Sequence, residues 1–160
     1  MPEIDSALFR QVLGHFPTGV TAVTTMDVEG EPVGFSVSSF FSVSLEPALV
    51  GFCAGKESSA WPAIRAAGSF CVNVLAADQE MISRQLAVRG GDRFRSIGWV
   101  PVPSGAPRLE GALAWIDCEI DAVHDAGDHE ICIGRVRDLH VERESGPLVF
   151  YRGGYGGFAP

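Results

Sequence analysis

Ala112-Leu-Ala-Trp-Ile-Asp-Cys-Glu-Ile-Asp-Ala122 and its return, Ile131-Cys-Ile-Gly-Arg-Val-Arg137, decide the fold. Along the first segment Ala112, Ala114, Ile116, Cys118, Ile120 and Ala122 alternate with Asp117, Glu119 and Asp121. A period of two places one set on a buried face and the acidic set on the other, which is a β-strand. On the return Ile131 and Ile133 continue the inward set, and then the phase flips to Val136. One extra residue repairs that flip, so the pattern predicts a β-bulge within one residue of Gly134. The same slip sets Arg135 and Arg137 opposite Glu119 and Asp117 as cross-strand ion pairs.

The rest of the chain reads outward from this pair. Leu8, Phe9, Val12, Leu13 and Phe16 share a helical face, predicting a helix over about 6–16, capped by Asp5 or Ser6 and ended by Pro17. Residues 18–26 are rich in β-branched side chains and read as a strand, followed by a turn and a short strand near 33–35. Residues 36–44 hold five serines in an irregular pattern. A buried strand over 48–53 leads through Gly55-Lys-Glu-Ser-Ser59 into a helix reaching about Ala67, with Pro62 in its first turn and Gly68 as its stop. A strand over 69–75 and a helix over 78–88 follow. Residues 96–111, with three prolines and three glycines, read mostly as loop. A strand over 147–151 precedes a glycine-rich tail. Strands dominate and helices are inserted between them. The fold class is mainly β (α+β), a closed or nearly closed β-barrel with peripheral helices.

Composition bounds the function. At 160 residues and 17.1 kDa the chain suits one domain, 1–160, with a real core. Hydrophobic residues at 46% and charged residues at 20% exclude a disordered chain. A net charge of −8 argues against a nucleic-acid backbone as the partner. No apolar run is long enough for a membrane helix, and Met-Pro-Glu-Ile-Asp5 does not read as a signal peptide, so a cytoplasmic location is expected. Cys53, Cys71, Cys118 and Cys132 form no C-x-x-C pair and read as reduced, buried thiols.

Three segments carry candidate chemistry. Gly55-Lys-Glu-Ser-Ser59 combines helix-start N–H groups, two hydroxyls and an ammonium, which make a small anion site; the alternative is that Ser58 or Ser59 caps the helix and Lys56 is solvated. The serines of 36–44 suit hydrogen bonds to a polar ligand or to turns, and the missing G-x-S-x-G motif argues against a nucleophile. His124 and His129 flank Asp125-Ala-Gly-Asp128, at the tip of the strand pair, as ligand contacts, metal ligands or an exposed turn. Tyr151-Arg-Gly-Gly-Tyr-Gly-Gly157 offers two aromatics among glycines, for stacking or as a loose tail. Together they suit a flat phosphorylated cofactor.

These residues, in this order, resemble the short-chain flavin reductase family, whose fold is the FMN-binding split barrel. The resemblance runs through Phe9–Thr25, Gly34–Pro47, Phe70–Gln79, Gly127-Asp-His129 with Gly134, and Pro147–Tyr155. It implies that Phe35, Ser36, Val37, Ser38 and Ser39 lie along the ring and ribityl chain of FMN or FAD. Cys53, Ala54, Gly55, Lys56, Ser58 and Ser59 are implied around the phosphate, with Arg84 and Phe94 as further contacts. His129 is implied as the catalytic-site residue that meets NADH or NADPH, together with Tyr151. It also implies hydride transfer from nicotinamide to flavin, a homodimer, and a partner monooxygenase that consumes the reduced flavin. A flavin-binding module without turnover, a pyridoxamine-phosphate oxidase-like enzyme and a plain acidic interaction domain are the competing readings.

Overall fold

A computed structural model describes residues 1–159. In chain order the elements are α1 (Ser6–Leu13), β1 (Thr18–Gly19), β2 (Thr21–Met26), β3 (Pro32–Val37), β4 (Phe41–Ser44), β5 (Leu49–Gly55), α2 (Trp61–Ala67) and β6 (Ser69–Val74). A 3-10 turn, Ala77–Gln79, leads into α3 (Glu80–Ala87). Then come β7 (Trp99–Pro101), β8 (Pro107–Leu109), β9 (Ala114–Ala126), β10 (His129–Val141), β11 (Leu148–Tyr151) and β12 (Gly154–Gly157). None of the described helices is long and apolar enough to cross a membrane.

Seven strands form one antiparallel sheet in the order β3-β2-β6-β9-β10-β5-β4. Of the closed or nearly closed barrel expected, the closed form is not found, because no ladder joins β3 to β4 among the described residues. The sheet curls instead, bringing Phe35 of β3 edge-on to Phe52 of β5 at 6.0 Å. Closure fails for a local reason. Beyond Gly51 the edge of β5 is met by a side chain rather than a strand: the Cys53 N–H donates to Ser39 Oγ at 2.9 Å, and that hydroxyl donates to the Cys53 carbonyl at 3.1 Å. The main core lies inside the curl, where Phe52 and Phe70 pack edge-on at 5.2 Å beneath Trp61 and Ile64 of α2.

The β9–β10 hairpin carries the expected bulge, between Ile133 and Gly134. Asp121 is the extra residue on β9, and a second irregularity between Val136 and Asp138 leaves Arg137 extra on β10. The two slips sit on opposite strands and cancel, so the far end returns to its original register. This corrects the expected ion pairs. Arg135 donates to Asp121 at 2.8 Å, and Arg137 pairs with Glu119. Asp117 is not on a solvent face: it is buried and accepts from the Ser104 N–H at 3.0 Å and the Ser104 hydroxyl at 2.5 Å.

Four further expectations need correction. Residues 96–111 are not simple loop, since β7 and β8 pair as a small hairpin that covers β9 with Val102 and Ala106. Buried Asn73 anchors it, accepting from the Leu109 N–H at 2.7 Å. The strand read over 18–26 breaks at Val20, so that Thr18–Gly19 joins a second sheet of order β1-β11-β12. The glycine-rich tail is therefore a strand, β12, and not a free end. In α1 the Asp5 cap is present, accepting from the Ala7 N–H at 3.2 Å, but the helix stops at Leu13 and Leu8, Phe9, Val12 and Leu13 remain exposed.

Candidate active site

Where the sheet fails to close, a cavity of about 410 Å³ opens between β3, the β5–α2 loop, the end of α3 and the β9–β10 tip. Phe35 and Ser36 line it from β3; Gly55, Ser58 and Ser59 from the loop; Arg89 and Arg93 from beyond α3; Asp128 and His129 from the tip. The β5–β10 ladder sets His129 directly opposite Gly55. A side chain at 55 would begin 3.7 Å from His129 Nε2, in ordinary contact, so the imidazole lies against the end of β5.

The cations of this cavity differ from those the sequence suggested. Lys56 turns away to pair with Asp125, and its N–H donates to the Asp128 carbonyl at 3.0 Å. Ser58 serves partly as a cap, its hydroxyl accepting from the Ala60 and Trp61 N–H groups at 3.3 and 3.4 Å. The positive charge comes instead from Arg89 and Arg93. Arg93 is held in place, donating to Ser59 Oγ at 2.6 Å and to the Gly34 carbonyl at 3.4 Å. Gln85 fixes the same loop by donating to the Arg93 and Arg95 carbonyls at 2.8 and 2.7 Å. Sequence reasoning missed both arginines. Their signal was Arg89-Gly-Gly-Asp-Arg93, two cations on a turn whose glycines adopt φ of 77° and 72°.

His129 Nδ1 lies 2.7 Å from an Asp128 carboxylate oxygen. That hydrogen bond holds the Asp128 carboxyl below its ordinary range. With Nδ1–H donated to a carboxylate, Nε2 is the ring nitrogen left over on the Gly55 side. No three His, Cys, Asp or Glu side chains converge as a metal site among the described residues.

A second cavity, of about 580 Å³ and mostly apolar, lies along Ser38, Ser39, Phe40 and Phe41 and is backed by Phe16, Thr18 and Val74. The segment 35–39 thus runs from one cavity to the other, with Val37 buried between them and its carbonyl accepting from the Thr21 hydroxyl at 2.8 Å. Thr18 Oγ1, on the wall of the apolar cavity, is buried without a hydrogen-bond partner. A flat, largely apolar group bearing a few polar edges suits that wall, and an anionic tail suits the arginine end.

The remaining candidates lie outside these walls. Ala54 is buried within β5, and Cys53 is half-buried beside Ser39. Phe94 is 8% exposed and packs into the core under α3, with its edge on the far side of Gly34. Arg84 pairs with Glu80 at 2.8 Å and lies over the Tyr155 ring at 4.8 Å. Tyr151 is half-exposed on a third cavity, of about 380 Å³, shared with Pro17 and Tyr155.

Comparison with known proteins gives one consistent result. The family described as flavin reductase like domain matches residues 13–159. A flavin reductase of Pseudomonas putida is 51% identical over 156 residues, covering 98% of this chain and 92% of that protein. The reductase subunit HsaB of a flavin-dependent monooxygenase from Rhodococcus jostii is also 51% identical, covering 98% of this chain and 80% of its own. Among solved structures, a nitrilotriacetate monooxygenase component B homologue from Mycobacterium thermoresistibile superposes with a TM-score of 0.94 at 48% identity, covering 98% and 88% of the two chains. The Streptomyces globisporus NADH:FAD oxidoreductase SgcE6, solved with NAD and FAD fragments, gives 0.92 at 38% identity, covering 99% and 98%.

Proposed function

The chain belongs to the flavin reductase like family, and on that premise we propose that its two joined cavities bind flavin and nicotinamide nucleotide for hydride transfer, the reduced flavin passing to a partner monooxygenase. The protein is an NAD(P)H-dependent flavin reductase. One observation carries the site assignment: an arginine-lined cavity and an apolar cavity share the single segment 35–39. The residues fit a flavin mono- or dinucleotide, since two arginines stand at one end and a mostly apolar wall of Phe16, Phe40 and Phe41 beside Ser38 stands at the other.

Flavin supplies the redox chemistry, accepting a hydride on its ring. The protein's task is binding and orientation. In this reading Arg89, Arg93, Ser58 and Ser59 hold the phosphate, while 35–39 offers hydroxyls and backbone groups to the ring and ribityl chain. His129, steadied by Asp128, orients the nicotinamide nucleotide, and Tyr151, on its separate cavity, is the further nucleotide contact that the family resemblance implies. Cys53, Ala54 and Lys56 shape the loop from behind, and Arg84 and Phe94 brace α3 and the 89–94 turn rather than meet the flavin directly.

Two further parts of this reading concern assembly and setting. The uncovered apolar face of α1 is the surface on which a second copy packs, giving a homodimer of split barrels. Four unpaired cysteines and a nicotinamide co-substrate favour the reducing cytoplasm.

The test is direct. Purified protein with FMN or FAD should oxidise NADH or NADPH, followed at 340 nm, and Arg93→Ala should weaken flavin binding by roughly ten- to a hundredfold, the worth of one charge-assisted hydrogen bond. Flavin binding without nucleotide oxidation would leave a mere flavin-binding module. Unchanged affinity in Arg93→Ala would remove the phosphate assignment.

A further inference from the structure

A chain of three hydroxyl groups ends at the flavin cavity. Tyr155 Oη lies 2.9 Å from Ser83 Oγ, which lies 2.8 Å from Ser36 Oγ. Ser83 is fully buried on α3, Ser36 is half-buried on β3 and lines the arginine cavity, and Tyr155 stands on β12. Residues 36, 83 and 155 are remote in sequence, so the chain is made only by the fold. The site roles that the resemblance implies, Ser36 among them, assign nothing to Ser83 or Tyr155.

The chain has a preferred direction. Buried Ser83 has one proton and two lone pairs, so it can accept from one hydroxyl neighbour while donating to the other. A phenol is the more acidic of the three hydroxyls and the best donor, and Tyr155 Oη has no other hydrogen-bond partner among the described residues. With Tyr155 donating to Ser83, the Ser83 proton is available to Ser36. Ser36 has then accepted, and its own proton is free to point into the cavity.

We infer that Tyr155, acting through Ser83, is a positioning residue that fixes Ser36 as a hydrogen-bond donor toward the bound flavin. This rests on the flavin-site reading above and deepens it. The Tyr155 ring is itself held on three sides: Phe150 packs edge-on at 5.2 Å, the Arg84 guanidinium lies over it at 4.8 Å, and the β11–β12 ladder fixes its backbone. That gives Arg84 a part in the flavin site without a flavin contact. It also makes the C-terminal hairpin a component of the site.

Tyr155→Phe keeps the ring, its stacking and the cation contact, and removes only the oxygen. Flavin titrated into the otherwise intact chain, followed by quenching of its fluorescence, should bind about two- to tenfold more weakly, the span of one neutral hydrogen bond. The flavin KM should rise with it, while kcat and the nicotinamide KM stay unchanged. Bound flavin should also change its visible absorption envelope. Ser36→Ala should give the same loss, and Tyr155→Phe added to Ser36→Ala should cost nothing more, because both act through one hydrogen bond. Ser83→Thr, which retains the hydroxyl, should bind more tightly than Ser83→Ala. Tyr155→Phe within twofold of wild type, or a loss that adds to that of Ser36→Ala, would overturn the inference. Wild-type protein that binds no flavin would instead overturn the flavin-site reading itself.

Discussion

Gly134 is where the folding pattern and the core can be tested together. A Cβ placed on Gly134 would lie 2.5 Å from Cζ and 3.2 Å from Cε1 of Phe70, and 3.2 Å from Cβ of Cys118. Carbon atoms pack at about 3.5–4.0 Å, so the Phe70 ring must retreat by about 1 Å. It has nowhere to go, because it is fully buried and stands edge-on to Phe52, which is wedged in turn by Trp61 at 5.8 Å and Phe35 at 6.0 Å. Overpacking a filled core costs about 1–3 kcal/mol. Replacing a strand glycine by alanine returns about 0.5–1 kcal/mol of backbone entropy. Gly134→Ala should therefore be destabilised by about 1–2 kcal/mol net, and its melting temperature should fall by roughly 2–8 °C at fixed protein concentration. Phe70→Leu removes the ring atoms that the new methyl meets. The double variant should then lose at least about 1 kcal/mol less than the sum of the single losses. A Gly134→Ala melt indistinguishable from wild type, or strict additivity with Phe70→Leu, would refute the packing argument.

Three other outcomes are expected. His129→Ala should raise the apparent KM for the nicotinamide nucleotide about tenfold, the scale of one hydrogen bond to a charged group, while flavin affinity holds; Asp128→Asn should shift the same constant in the same direction, and a change confined to flavin binding would reject the assignment. Burial pushes the Cys71 and Cys132 thiols up to about 12 and raises Cys118 as well, so at pH 8 a disulfide reagent should find at most one fast thiol, Cys53, the others reacting only in denaturant. Asp78, Asp128, Glu130 and Glu142 all titrate below the ordinary carboxylate range, through hydrogen bonds from Arg143, His129, Trp61 and Trp115 respectively. A lowered folded value means stability that is complete above the unfolded value and lost as pH falls through the folded one, so melting temperature should be insensitive to these groups above about pH 5 and decline below about pH 4.

The backbone was more legible than the side-chain partnerships. The phase flip from Ile133 to Val136 located the bulge because side-chain period in a strand is a strict constraint, and one residue out of phase must be absorbed somewhere. Gly68 announced the end of α2 for a similar local reason: it adopts φ of 72° and its N–H closes on the Ile64 carbonyl. Partner choice obeys no such local rule. Arg135 stands opposite Glu119 yet pairs with Asp121, the residue the first bulge leaves extra on β9, and the second irregularity at 136–138, which no pattern announced, leaves Arg137 to pair with Glu119. Lys56 looked like the cation of an anion loop, yet it finds Asp125, 69 residues away, once the hairpin tip folds over that loop. The flavin contact proposed for Phe35–Ser39 rests on family resemblance. Residue type alone would have left five serines in an irregular strand.

The open edge of the sheet explains why the site lies where it does. A closed barrel would have satisfied the β3 and β5 edges by a ladder and left no polar backbone or hydroxyl group facing a ligand. Here each edge is satisfied by a substitute that still faces outward. On β5 it is Ser39, bonded to both polar groups of Cys53. On β3 it is the guanidinium of Arg93, donating to the Gly34 carbonyl. Arg93 and Ser36 line the arginine cavity and Ser39 the apolar one. The residues that meet these strand edges are thus also residues that line the two cavities of the proposed site. A substitution restoring strand pairing between 36–39 and 53–55 would gain ladder hydrogen bonds and forfeit the flavin, a trade of stability against function made within five residues.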